Sequence, residues 1–283
     1  MSKVLMKGVS IKRGDELGFP VIAEEKLDGV RCLVQVLGNH VNYISYAGKT
    51  LHNLDDYDEL WLRIRDETDT ALFDCEFMYH DFDCTYKVVR SKKQPEWFQR
   101  EYGCFYILDS PTRTMSYHSH QNWLQSIADS GYPTIRRPDS RVCHNLEEVQ
   151  EMFHRVVNRG GEGLMLKDPT GQYYQGGRVK VWGKLKRQET IDGKIMYLTE
   201  AIDKHGQPKG EVGSFTVRFM LEGGGVWGTA DASASKLTPT ERRAMWANRE
   251  QFKDKWCEVQ YMQVDRAGGL RHPVFLRIRE DKE

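Results

Sequence analysis

No apolar run in the 283 residues approaches the roughly 18 residues of a membrane-spanning helix, and the opening MSKVLMKGVS lacks the apolar core of a secretory signal. No membrane partner is expected, and a cytoplasmic location follows. Cysteine is sparse. The six that occur are scattered, with no CxxC pair and no His/Cys cluster at zinc spacing, which excludes a disulfide framework and leaves buried or free thiols. Net charge is absent too: 41 basic residues balance 41 acidic ones, so the total does not point to a polyanion. No internal repeat or low-complexity tract stands out.

What is present is a globular composition, 39% hydrophobic, 29% charged and 11% aromatic, in a chain long enough for two modest domains. The charge is segregated. Acid collects at 55–59 and 66–69, and base at 87–100, 178–187 and near the C-terminus. Solvated charge runs are the ordinary meaning of such a pattern, and backbone binding to a nucleic acid is the other.

Periodicity supplies the elements. VRCLVQVL and HVNYISY read as strands joined at Gly38-Asn39. A helix is expected after Asn53, with Leu54, Leu60, Trp61 and Ile64 on one face. ALFDCEFMY and GCFYILDS are strand-like. A helix near 119–130 is expected with Ser119 as cap and Gly131 past its end, and another from cap Asn145 to Gly160. GLMLKDP and RVKVWGKLK are short strands. From about 190 the pattern changes to five strand candidates (IDGKIMYLTEAI, GSFTVRFML, GGVWGTA, KWCEVQYMQV, PVFLRIRE). One helix sits among them, opened by a capping box at Thr238-Pro239-Thr240-Glu241. Five strands and a helix suit a small barrel of the OB type. The expected fold class is therefore α+β, residues 1–189 forming antiparallel sheets with helices and 190–283 a β-barrel.

The chemistry centres on Lys26-Leu27-Asp28-Gly29-Val30-Arg31. Alone, the string permits a bland meaning, an exposed lysine before a turn. Further strings follow in order: Asp74-Cys75-Glu76, Tyr106-Ile107-Leu108-Asp109, Glu162-Gly163-Leu164-Met165-Leu166-Lys167, Trp182-Gly183-Lys184-Leu185-Lys186 and LRHPVFLRIREDK at 270–282. Together they resemble the ordered motifs of the covalent nucleotidyltransferases, and the last is very close to that of ATP-dependent DNA ligases. The resemblance runs over essentially the whole chain, and its two-domain length is similar to the compact ligases of bacteriophages, with the host cytoplasm as the implied location.

A lysine amine has its pKa near 10.4, so attack on a phosphate near neutral pH needs nearby cations that disfavour the ammonium. Arg31, Lys184 and Lys186 are the candidates. Lys184 and Lys186, at i and i+2 of a strand, share a face and reach one phosphate; a solvated strand edge is the alternative. Two acids on strands, Glu76 and Glu162, face a triphosphate without repulsion only across a divalent cation, and oxygen ligands suit Mg²⁺; their ordinary fate is the surface. The resemblance implies Lys26 as nucleophile, Glu162 at the metal, Glu76 near ribose and metal, and Glu24 accepting from the adenine amine. It implies Tyr106 stacking on the base, with Phe105 as rival, and core packing the commoner role for either. It also implies Arg277 and Arg279 orienting the pyrophosphate; an Arg-rich strand binding nucleic-acid phosphates is the alternative.

The match departs from the family pattern at two places. Tyr46 stands where arginine is usual, in Ser45-Tyr46-Ala47-Gly48-Lys49, and Lys49 is the candidate substitute. Cys75 stands where glycine is usual. The expected activity is sealing of 3′-hydroxyl/5′-phosphate nicks in duplex DNA by a monomer, with ATP and Mg²⁺, and with basic segments 87–100 and 178–187 clamping the backbone. Rivals are an mRNA capping guanylyltransferase, an RNA ligase, and a nucleic-acid-binding OB protein carrying an inactive transferase domain.

Overall fold

The computed structural model describes residues 4–221, 227–264 and 268–282. The chain divides into two compact units, Met1–Lys186 and Arg187–Glu283, against the expected division after residue 189.

The first unit runs β1 (Lys7–Ile11), β2 (Val21–Glu25), β3 (Val30–Leu37), β4 (His40–Ser45), α1 (Asp58–Thr68), β5 (Leu72–Met78) and α2 (Phe82–Arg90). It continues with β6 (Cys104–Asp109), α3 (Tyr117–Ala128), β7 (Ile135–Arg136), β8 (Ser140–Cys143), α4 (Leu146–Asn158), β9 (Gly163–Lys167) and β10 (Arg178–Lys186). Two sheets result, ordered β1-β10-β9-β2-β8 and β4-β3-β5-β6-β7. Most pairs are antiparallel as expected, but the edge pairs β1–β10 and β6–β7 are parallel. The β3–β4 hairpin turns at Gly38, where φ is +57°, and pairs Val36 with Val41. Its period-two pattern puts Cys32, Val34 and Val36 into the core.

That core is aromatic. Trp61 from α1, Phe73 and Phe77 from β5 and Phe105 from β6 are fully buried, with Phe77 and Phe105 ring centroids 4.8 Å apart. Each such side chain contributes about 1.5–3 kcal/mol by leaving water. Leu54 and Ile64 join them as the helical spacing requires, and Leu60 packs at the margin. A second core lies under the other sheet, where Val149, Met152 and Val156 of α4 meet Leu164 and Leu166 of β9.

Three local expectations change. The cap of α3 is Ser116, whose hydroxyl accepts from the Ser119 amide, because Tyr117 opens the helix as a buried residue rather than preceding it. The helix α2 was not anticipated: it starts at Phe82, ahead of the basic segment 87–100, and overlaps it only in its last turn, capped by Asp81 and buried through Thr85, Val88 and Val89. Strands β7 and β8 are too short for periodicity to have marked them, and β1, an edge strand of five residues, was not read.

The second unit contains β11 (Glu189–Ile202), β12 (Pro208–Met220), β13 (Trp227–Ser233), α5 (Pro239–Ala247), β14 (Trp256–Tyr261) and β15 (Val274–Ile278). Its five strands close into a barrel in the order β11-β12-β13-β15-β14, the ring expected of an OB-type fold. The capping box of α5 forms as the sequence requires, with Thr238 and Glu241 satisfying each other's amides. Phe215 and Phe275 stack in the interior at 4.0 Å. Residues 224–226 of the third strand candidate lie outside the described residues.

Candidate active site

Lys26 sits where the chain leaves one sheet for the other. Glu25 ends β2 in the first sheet and Val30 begins β3 in the second. The Lys26 amide donates to the Gly163 carbonyl at 2.9 Å. Two motif glycines permit this seam. A Cβ on Gly29 would lie 2.4 Å from the Phe77 carbonyl oxygen; one on Gly163, where φ is +136°, would lie 2.2 Å from the Leu185 carbonyl oxygen. Close backbone approach is thus why glycine follows Asp28 and Glu162.

A pocket opens at this seam, and Lys26, Arg31, Glu76, Lys184 and Lys186 all line it, as do Glu24 and Lys167. Glu162 stands behind Lys26. The Lys26 ammonium donates to Glu162 Oε2, and Lys186 Nζ lies 2.6 Å from Oε1 of the same buried carboxylate. Lys184, on the same face of β10 as Lys186, has its pKa pushed down to about 8, first by burial and then by Arg178, Lys186, Lys26 and Lys7. The cations that act on this region therefore include Lys7 and Arg178, which the sequence reading did not single out.

Arg31 was expected to be such a cation. It lines the pocket, but its guanidinium forks onto buried Asp74, with Nη2 2.5 Å from Oδ2, and Tyr173 donates to the same carboxylate at 2.7 Å. Most of its field is met locally. Its pKa rises because Asp74 outweighs the cost of burial.

Glu76 is half-buried on the pocket wall. Burial pushes its carboxyl up to about 7; Asp74 and Glu162 act in the same direction, against Arg31 and Lys26. No hydrogen bond reaches that carboxylate among the described residues. A desolvated carboxylate with a second acid within electrostatic range fits an oxygen-liganded divalent cation. Among the described residues there is no group of three or more His, Cys, Asp or Glu able to hold a metal. Cys75 points the other way, wholly buried beside Cys32, so the cysteine leaves both neighbouring carboxylates in place.

At the closed end of the pocket Glu24 is 1% exposed. Lys167 Nζ lies 2.6 Å from Glu24 Oε2, Arg137 Nη2 lies 3.4 Å from Oε1, and the Tyr117 hydroxyl donates to Oε1. Lys167 is held between aromatic faces, 4.2 Å from the Tyr117 centroid and 4.4 Å from that of Trp182. Burial pulls its pKa down even though Glu24 and Asp109 oppose the shift. Arg137 and Tyr117 were missed as site residues because single aromatic and basic residues carry no spacing signal, and Trp182 was visible only as the first letter of its motif. Lys167 was visible only as the last letter of its motif.

Strand alternation puts the two candidate aromatics on opposite sides of the sheet. Phe105 is wholly buried in the aromatic core, whereas Tyr106 faces the opposite side of the sheet, across from Glu76. Leu108, on that same face, reaches the pocket wall; Tyr106 stands outside it and bonds to Arg136. Tyr46 lines the pocket with Lys7, while exposed Lys49 lines an outer groove instead.

In the second unit, Arg277 is exposed and pairs with Glu258 at 2.7 Å. Arg279 is bound by Asp192 at 2.8 Å and Asp281 at 2.7 Å, and these contacts raise its pKa while lowering that of Asp281. The basic segment 87–100 presents Lys87, Arg90, Lys92, Lys93 and Arg100 to solvent.

Comparison with known proteins gives the family and the fold. The model of the ATP-dependent DNA ligase domain matches residues 10–186. The DNA ligase of Enterobacteria phage T3 is 24% identical over 332 residues, covering 95% of this chain and 92% of that protein. Among solved structures, Pmar-Lig_PreS3 superimposes with a TM-score of 0.82 at 20% identity, covering 99% of this chain and 68% of the other. The ATP-dependent DNA ligase from bacteriophage T7 in complex with ATP gives 0.57 at 21% identity, over 98% and 99% of the two chains. No helix of the described residues is long and apolar enough to cross a membrane.

Proposed function

The chain belongs to the family of ATP-dependent DNA ligase domains, and we propose that it seals 3′-hydroxyl/5′-phosphate nicks in duplex DNA through an adenylate carried on Lys26. The observation that carries the reading is the placement of Lys26 Nζ on Glu162 in a pocket shared with Glu76, Lys184 and Lys186.

In the first step Lys26 Nζ attacks the α-phosphorus of ATP. The ammonium first gives up one proton to solvent; a P–N bond then forms as the P–O bond to pyrophosphate breaks, and a second N–H proton is released to leave the phosphoramidate. Lys184 and Lys186 disfavour that ammonium and bind the phosphoryl oxygens, whereas the contact with Glu162 favours it; release of Nζ from Glu162 is the activating event. Glu76 and Glu162 would hold Mg²⁺, which supplies neutralisation of charge developing on the phosphoryl oxygens. Glu24 and Lys167 suit the adenine edge, as an acceptor and a donor at the closed end. Tyr106 remains the proposed base-stacking ring.

In the second step an oxygen of the nick 5′-phosphate attacks the adenylate phosphorus and the P–N bond breaks, returning the amine. In the third the 3′-hydroxyl attacks the 5′-phosphorus, AMP leaves and the hydroxyl proton is released. The exposed cations of 87–100 and Arg178 and Lys180 suit sequence-independent, salt-sensitive contact with the duplex backbone. Arg277 and Arg279 are proposed to exchange their carboxylate partners for the leaving pyrophosphate. The enzyme is proposed to act as a monomer.

The test is intact mass of the purified protein after incubation with Mg²⁺ and ATP, GTP or NAD separately, with AMP first removed by pyrophosphate. An adenylate from ATP, mapped to Lys26 and lost in Lys26→Ala with fold retained, is the expected result. A guanylate from GTP would move the protein to the capping enzymes, and an adduct on the Lys26→Ala protein would overturn the assignment of the nucleophile.

A further inference from the structure

We infer that Lys7, seated on the ring of Tyr46, is a binding residue for the 5′-phosphate of the nicked strand. The inference rests on the ligase reading above and adds a residue and a step to it.

The lysines of the pocket are not equivalent. Lys26 and Lys186 share Glu162, and Lys167 is paired with Glu24. Lys7 forms no ion pair among the described residues; its ammonium lies 3.5 Å from the Tyr46 ring centroid instead. An aromatic face holds a cation in place without cancelling its charge and leaves its N–H groups available to an anion. The backbone beneath is fixed. The Lys7 amide donates to the Gly177 carbonyl at 2.8 Å, β1 is in register with β10 through Lys7 and Arg178, and a Cβ on the next residue, Gly8, would lie 2.6 Å from the Trp182 carbonyl oxygen. Lys184 also lines the pocket without a carboxylate partner among the described residues, but it stands beside Lys186 and the nucleophile. A positioned Lys7 ammonium with no carboxylate on it, held away from that pair by Tyr46, is a separate site for a phosphate oxygen.

Position decides which phosphate. Tyr46 and Arg31 line both the nucleotide pocket and an outer groove, whose walls include Ser45, Lys49, Phe82 and Tyr86. Lys7 on Tyr46 therefore stands at the doorway between the two. The closed end belongs to Glu24 and Lys167, and Lys184 and Lys186 flank the nucleophile. A second phosphate-bearing strand enters through the doorway.

The test separates the steps in single-turnover experiments on the full chain: lysyl-AMP formation from ATP, adenylate transfer from preformed lysyl-AMP to nicked duplex bearing a 5′-phosphate, and sealing of a pre-adenylated nick. Loss of one charge-assisted phosphate contact predicts that Lys7→Met slows transfer by about 10–100-fold. Self-adenylylation should fall at least tenfold less than transfer does. Lys7→Arg should retain transfer, and Lys7→Met combined with Tyr46→Arg should recover it, because a guanidinium at 46 faces the same doorway. Equal losses in the first two steps would assign Lys7 to the ATP phosphates and overturn the inference; so would unchanged transfer in Lys7→Met, or a double variant no better than the single one. A wild-type protein that forms no lysyl-AMP would instead bring down the ligase reading and this inference with it.

Discussion

Replacing Glu76 by glutamine should stabilise the protein at pH 8 while disabling it. The Glu76 carboxyl is held at about 7, against 4.5 for an ordinary glutamate, chiefly by burial. Its folded pKa lies above its unfolded one, so between those values the folded chain keeps a proton that the unfolded chain releases. The contribution to stability is full below about 4.5 and is lost as pH rises through 7. The gap corresponds to about 3.4 kcal/mol at 1.36 kcal/mol per pKa unit; about half of that survives discounting for the solvent that reaches a pocket wall. Glutamine carries no such charge. For a unit of this size, about 1.5–2 kcal/mol raises Tm by roughly 3–8 °C at pH 8. Calorimetry at pH 5 and pH 8 is the assay. The advantage of Glu76→Gln over wild type should be several degrees at pH 8 and shrink toward zero at pH 5, and Mg²⁺ with ATP should stabilise wild type more than the variant. A variant less stable than wild type at pH 8, or an advantage independent of pH, would refute the claim that desolvation governs this carboxylate.

Arg31→Lys removes a fork that matches Asp74 and leaves that carboxylate partly unpaired at zero exposure. Denaturant unfolding should show a loss of about 2–4 kcal/mol, and a loss within error would show the fork to be dispensable. Gly29→Ala puts a methyl 2.4 Å from the Phe77 carbonyl oxygen, and Tm should fall by several degrees, with lysyl-AMP formation reduced because the Lys26 loop must shift; unchanged melting would count against the seam geometry. Lys184, held down to about 8, loses its charge as pH rises through that value. The KM for ATP in self-adenylylation should climb above about pH 8 and stay level in Lys184→Arg, which does not titrate there; the same climb in both proteins would exclude Lys184 as its source.

The elements that could be read in advance are those decided within a few residues. Gly38-Asn39 sets a hairpin by its backbone freedom, Thr238 and Glu241 cap a helix by mutual hydrogen bonds, and the apolar spacing from Leu54 to Ile64 requires one buried helix face. The expected α+β class and terminal strand ring follow from such local rules, as does the common face of Lys184 and Lys186. Their failures were local too: Ser119 was expected as the cap that Ser116 forms, because nothing in the string says that Tyr117 must be buried. The motif residues were legible as a set of chemistries, and their order along the chain tied them to one family.

What no string contains is the partner of each charge. Arg31 reads as a free cation until Asp74, 43 residues away, closes on it. Lys26 meets Glu162 across 136 residues. Phe105 and Tyr106 differ only in which side of a sheet they face, and Lys7 acquires meaning only when a parallel edge strand carries it to Tyr46. Ionisation and binding depend on distance and on displaced water, and both are set by sheets that join distant segments. Sequence by itself determined which chemical groups this protein possesses and the local elements that carry them; the tertiary structure alone decided which of those groups are neutralised and which remain charged toward a ligand.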